Sequence, residues 1–307
     1  MNYTFGPINS RRFGLSLGID LSPDAKSCNF DCLYCELDAA KPIDKISNSP
    51  KVEEIIKDVQ TALLKEPNIE VVTITSNGEP TLYKDIDVLV DALNLIKNGK
   101  KLLILSNASM ISDLNIQATL QKIDIVKLSL DCATQKCFQK IDRPIKGILV
   151  ADIIDGIKTF SKTFGHDLII ETLVVKGVND KDEEMQELNR VLQDINPCRI
   201  DLGTIDRPPA FDVLPVSSEV LKDLSENFIG LPISIIHNDK PNTRIDLSEE
   251  DIIHTIKRRP QSQSDVDYLF SKYSKQNLEK LLEDKKVIKQ TIAGVIFYSE
   301  TNRILSK

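Results

Sequence analysis

Apolar positions recur along the chain in two alternating rhythms. Short runs rich in β-branched residues at 15–21, 69–75, 101–105, 123–130, 168–175 and 199–204 have the length and continuity of buried strands. Between them, stretches at 51–65, 85–96, 111–120, 148–160 and 181–192 repeat their apolar residues at helical spacing. In the first, Val52, Ile55, Ile56, Val59, Leu63 and Leu64 fall on one face. A helix at 220–228 and a strand at 233–236 extend the series. Repeated strand–helix units predict an α/β fold with a parallel sheet. Six or seven units before residue 240 predict a partial (β/α)6-type TIM barrel over residues 1–240, although periodicity alone leaves a doubly wound sheet open.

The texture changes at Asp246. Leu247-Ser248-Glu249-Glu250-Asp251 offers a serine cap and an acidic first turn for a helix ending at Arg258. Ser262-Gln263-Ser264-Asp265 caps a second helix, 274–282 forms a third, and 287–290 with 294–298 pair as a ribbon. That order predicts a small winged-helix-like C-terminal domain over 246–307, with a helical cap on the barrel as the alternative.

Composition narrows the function classes. The 307 residues are 41% hydrophobic and 28% charged, ordinary for a soluble globular protein. No apolar run approaches the roughly 18 residues of a membrane span. The first residues lack the basic stretch and apolar core of a signal peptide, so a cytoplasmic protein without a membrane partner is expected. A net charge of −7 excludes a uniformly basic polyanion binder. Residues 251–307 nevertheless hold 11 basic and 7 acidic side chains. That excess is either a solvated helical face or a contact for an anionic partner such as tRNA or another RNA, and a winged helix can equally dock a protein.

Three of the six cysteines lie in Cys28-Asn29-Phe30-Asp31-Cys32-Leu33-Tyr34-Cys35. A reducing compartment and so sparse a set argue against a disulfide framework. Three thiolates from one loop suit an iron–sulfur cluster with one iron left open. A structural zinc would need a fourth ligand, and His166, His237 and His254 are remote in sequence. A redox pair of Cys32 and Cys35 would leave Cys28 idle. The spacing alone leaves all three readings open. Cys132 and Cys137 have no third partner nearby for a second cluster, and Cys198, opening a strand, is expected in the core.

The trio, with Tyr34 before its last cysteine and a first strand before the loop, resembles the cluster loop of the radical S-adenosylmethionine superfamily. Ser76-Asn77-Gly78-Glu79-Pro80, after the second strand, is similar to that superfamily's Gly-Glu-Pro motif, with Asn77 where many members carry a further glycine. Ser106-Asn107 and Ser129-Leu130-Asp131 end the next two strands, as the superfamily's polar groups around the methionine carboxylate and ribose do. The segment 174–180 loosely resembles the adenine cradle. The run 5–20, with Arg143-Pro144, Asp206-Arg207-Pro208-Pro209 and Lys257-Arg258-Arg259-Pro260, resembles an iron–sulfur oxidoreductase subgroup related to wybutosine tRNA-modifying and molybdenum-cofactor enzymes.

The resemblance implies a [4Fe–4S] cluster on Cys28, Cys32 and Cys35. It implies S-adenosylmethionine held by Tyr34, Gly78, Glu79, Pro80, Ser106, Asn107, Ser129 and Asp131, and an electron donor such as flavodoxin or ferredoxin. It implies reductive cleavage of the cofactor to a 5′-deoxyadenosyl radical that modifies a substrate, with RNA favoured and a phosphorylated metabolite or a peptide as alternatives. A redox-sensing regulator is a rival from another class, although it would not need the Gly-Glu-Pro turn. Arg11, Arg12, Arg143 and Arg207, expected near the catalytic end of the barrel, are candidates to grip an anionic substrate or to pair with structural carboxylates.

Overall fold

A computed structural model describes residues 3–10, 12–235, 244–258, 260–292 and 295–301. Seven strands run parallel in sequence order: β2 (Gly14–Asp20), β3 (Val71–Thr75), β4 (Lys101–Ser106), β5 (Ile125–Ser129), β6 (Asp167–Val174), β7 (Arg199–Thr204) and β8 (Ile233–Ile235). An eighth, β1 (Thr4–Ser10), lies antiparallel on β2. A doubly wound sheet reverses its strand order at a switch point; this one never does. Its two ends also meet, because Arg12, in the β1–β2 turn, donates to the Ser234 carbonyl on β8 at 3.3 Å. The sheet curls as a barrel.

Side-chain alternation divides the strands into two faces. Leu17 and Ile19, Val72 and Ile74, Leu102 and Ile104, Val126 and Leu128, and Ile200 and Leu202 belong to the large outer core. Helices cover it: α1 (Val52–Lys65), α2 (Ile86–Ile96), α3 (Leu114–Leu120), α4 (Gln135–Ile141), α5 (Val150–Ser161), α6 (Asp182–Ile195) and α7 (Ser218–Ser225). Each presents an apolar stripe; α6 buries Met185, Leu188, Leu192 and Ile195 and stops where Asn196 turns left-handed. The inner face is different. At the strands' N-terminal end Val71, Leu103, Ile125 and Ile169 form a small separate cluster against Phe13, which floors the barrel.

Above this floor the lumen is polar. Asp201 on β7, fully buried, pairs with Arg12, with Arg199 at 2.8 Å and with Lys127 of β5 at 3.2 Å. Lys127 also reaches Glu171 of β6 at 2.5 Å. Arg12 therefore stands at the end of the barrel opposite the one expected for it, because it lies at the N-terminal end of β2, in the turn from the antiparallel β1. Arg11 lies outside the described residues.

Residues beyond Ile245 have a core of their own, built on Leu247, Ile252, Ile256, Val266, Leu269, Phe270, Leu278, Leu281, Val287 and Tyr298. Its elements follow the order α8 (Glu249–Arg258), β9 (Gln261–Ser262), α9 (Gln263–Leu269), α10 (Lys272–Glu283), β10 (Val287–Ile292) and β11 (Val295–Glu300). The three strands form an antiparallel sheet in the order β10-β11-β9. Ser262 and Asp265 make a reciprocal capping box at the start of α9.

Two cysteine expectations are corrected. Cys198 is exposed, since it enters β7 at the solvent-facing N-terminal end. Cys132 and Cys137 are joined as a disulfide across the turn that starts α4. Among the described residues no helix is long and apolar enough to cross a membrane.

Removing a carboxylate that three cations share leaves buried charge uncompensated. Asp201→Ala is expected to lower the unfolding free energy by about 3–5 kcal/mol in urea titration.

Candidate active site at the strand C-termini

The loop between β2 and α1, residues 21–51, carries the three cysteines. Main-chain hydrogen bonds fasten it on three sides. Ser27 N–H donates to the Asn77 carbonyl at 2.8 Å and Glu79 N–H to the Ser27 carbonyl at 2.9 Å, tying the loop to the turn after β3. Asp31 and Leu33 donate to the carbonyls of Asp142 and Ile141, while Ile145 donates to Asn29, tying it to the end of α4. Ala210 N–H reaches the Cys35 carbonyl at 2.9 Å from the loop after β7.

Gly78 explains the first attachment. Its φ is +144°, and a Cβ there would stand 1.9 Å from the Ser27 carbonyl oxygen. Only glycine permits both the angle and the approach. The next residue, Glu79, is buried and saturated. Its carboxylate accepts from Thr81 N–H at 3.0 Å, Thr81 Oγ1 at 2.6 Å, Ser106 Oγ at 2.7 Å and Asn107 N–H at 2.6 Å. Burial pushes its pKa up, against those donors. Glu79 thus splices the end of β3 to the end of β4, and Pro80 opens the single 3-10 turn that follows it.

The structure brings the other cofactor candidates to the same rim. Asn107 donates to Asn29 Oδ1 at 2.9 Å and approaches Cys28 Sγ at 3.6 Å. Tyr34 donates to Asp131 Oδ2 at 2.5 Å, and the other Asp131 oxygen accepts Leu173 N–H at 2.7 Å. Burial raises Asp131 to about 6. Tyr34, Asn107, Ser129 and Asp131 surround one cavity of about 10 Å³ together with Phe30 and Asp142. In the segment after β6, Asn179 is spent on backbone groups of Asp131, Leu173 and Val175.

Cys28, Cys32 and Cys35 are free thiols. Burial, then Glu79, pushes Cys28 up to about 12. Cys32 is raised by burial and then by Asp142, whose carboxylate it meets at 3.4 Å, and Cys35 by burial. Thiolates in such surroundings demand bound cations. Among the described residues no three His, Cys, Asp or Glu side chains are placed to hold one metal ion, as a tetrahedral zinc would need. Three free thiols from one loop suit a cluster in which each binds a different iron. The donor set fits an iron–sulfur cluster.

The comparison that decides the family is direct: residues 23–188 match the radical SAM superfamily. The chain belongs to that superfamily. Radical SAM proteins are enzymes that work with a [4Fe–4S] cluster and S-adenosylmethionine. A UPF0026 protein of Helicobacter pylori strain J99 is 38% identical over 96% of each chain, and one of Methanocaldococcus jannaschii is 29% identical over 97% of this chain and 96% of its own. Two solved structures share the radical SAM fold at a TM-score of 0.57. Streptococcus suis SuiB with its precursor peptide SuiA is 20% identical, covering 72% of this chain and 48% of that one. A methyltransferase from Sphaerobacter thermophilus is 16% identical, covering 72% and 66%.

The candidate arginines are not free clamps. Arg207 is buried, donating to the Pro260 carbonyl and pairing with Asp265 at 3.3 Å and Glu36 at 3.4 Å. It bolts the residue after Cys35 to the C-terminal region. Arg143 pairs with Asp31 at 3.5 Å and lies 4.3 Å over the Phe211 ring, with 40% of its side chain exposed.

Asn29, Asp31 and Asp142 escaped the sequence reading. The first two sat inside the cysteine run as buried polar residues, whereas Asp142 had no local signal. Gly78→Ala is expected to cut the iron retained after anaerobic reconstitution and gel filtration severalfold. Gly165→Ala, where a Cβ meets nothing within 4 Å, should leave it unchanged.

Proposed function

We propose that Cys28, Cys32 and Cys35 hold the cluster of a radical SAM enzyme and that the strand ends from Gly78 to Asp131 hold its S-adenosylmethionine. The observation that carries this reading is the hydrogen-bonded splice of cluster loop to Gly-Glu-Pro turn through Ser27 and Gly78. When bound, these groups supply one-electron cleavage of the sulfonium to a carbon radical that abstracts a substrate hydrogen.

The chain's own residues do the positioning. Glu79, held by four donors, fixes Ser106 and Asn107 at the rim. With its own oxygens occupied, it sets the turn's backbone toward an ammonium group. Tyr34 and Asp131 lock the rim on the β5 side. The floor of Phe13, Val71, Leu103, Ile125 and Ile169 closes the lumen from below, keeping water from a reactive species. The reducing partner is of the flavodoxin or ferredoxin type.

The substrate's reacting part belongs in the lumen. The order of α8 to β11 supports the winged-helix reading of the tail. As an RNA contact the tail has less behind it: Lys257, Lys280 and Lys286 pair with Glu300, Glu249 and Asp284, which phosphates would have to displace. Its attachment to the cluster loop through Arg207 has three contacts.

The test is anaerobic reconstitution followed by reduction with S-adenosylmethionine. About four irons per chain and 5′-deoxyadenosine that disappears in Cys32→Ala are expected. Bound zinc, or a full cluster that never cleaves the cofactor, would overturn the proposal.

A further inference from the structure

The lumen holds charged groups that the cofactor site does not use. Lys127, Glu171 and Asp201 interrupt otherwise apolar strands and share the inner face with Ile125, Ile169 and Arg199. Buried charges are costly unless paired, and apolar side chains would fill a barrel at lower cost. Their exposure is graded. Above the floor, Asp201 is 0% exposed and takes Arg12, Arg199 and Lys127 together. Lys127 is 10% exposed, and Glu171, opposite Asp201 in the strand register, is 33% exposed.

Glu171 is the most exposed member of this group. Its Oε1 accepts from Lys127 at 2.5 Å, while Oε2 has no hydrogen-bond partner among the described residues. The apolar floor below Ile169 bars solvent from that side, so the exposed third of Glu171 faces the mouth. Leu105, on the inner face of β4, is 36% exposed, which marks open space beside an apolar wall.

We infer that Glu171, held by Lys127, receives the substrate, and that the group it takes is a primary amine, amidine or guanidine. A carboxylate only accepts hydrogen bonds, so the ligand atom facing Oε2 must donate. A phosphate or carboxylate set directly against Oε2 would meet like charge. Among the described residues, the arginines that the sequence offered for an anion are committed elsewhere: Arg12 to Asp201, Arg207 to Glu36 and Asp265, and Arg143 to Asp31 at the rim. Leu105 supplies the apolar side for the ligand's hydrocarbon portion. The inference rests on the lumen being the substrate chamber of the proposed enzyme.

Titration of the oxidised, cluster-loaded protein with butylamine and separately with butyrate, followed on the Leu105 methyl resonances, tests it. Butylamine is expected to shift them and butyrate to leave them in place. Glu171→Gln keeps the side chain's shape and is expected to weaken the butylamine response about tenfold or more. No response to butylamine, an equal response to butyrate, or undiminished affinity in Glu171→Gln would overturn the inference; the first two need no variant. S-adenosylmethionine added to the same wild-type sample separates the two levels. A response to the cofactor without one to butylamine defeats this inference alone. Silence to both, with no cofactor cleavage, defeats the proposed function beneath it.

Discussion

Two main-chain hydrogen bonds, from Ser27 to Asn77 and from Glu79 back to Ser27, set the geometry on which the rest of the site depends. They make a two-residue parallel bridge between the cysteine loop and the turn after β3. A segment as long as 21–51 without helix or strand has no shape of its own, and ordering it costs conformational entropy. Residue 78 must be glycine for the bridge to form. Once it forms, the Glu79 carboxylate is buried beside Ser106 and Asn107, and Asn107 turns its amide toward Asn29 and Cys28. The sulfurs and the polar rim are thus one hydrogen-bonded unit.

The barrel beneath is built on the opposite principle from its outer core. Outside, apolar side chains alternate toward the helices and stability follows from area removed from water. Inside, the floor is apolar for one layer and then gives way to ion pairs that break even only because Asp201 is satisfied three times. A lumen lined this way is specified in shape and charge before any ligand arrives. Arg207 extends the same logic outward, since a buried guanidinium with three partners joins the cluster loop to the C-terminal core.

Much of this was legible in the residues. The β-branched runs gave the parallel strands nearly to their ends, because strands buried on both faces need continuous apolar stretches. The cysteine spacing and the Gly-Glu-Pro turn located the rim. β1 escaped because Gly6-Pro7 interrupts it, and proline is tolerated only on an edge. α4, with seven residues, was too short for its period to show. The lumen charges did leave a trace, in Lys127, Glu171 and Asp201 each standing inside an apolar strand. Arginine partners were not legible, because Glu36, Asp265 and Asp201 are brought to them by the fold and not by sequence spacing.

The central claim is that the cysteine loop and the strand-end rim form one site. The most direct measurement is the electron paramagnetic resonance spectrum of the reduced protein with and without S-adenosylmethionine. A cluster signal that changes when the cofactor is added is the expected result. Identical spectra, with the cofactor shown to be bound, would contradict the account, because the loop and the rim would then serve separate ligands.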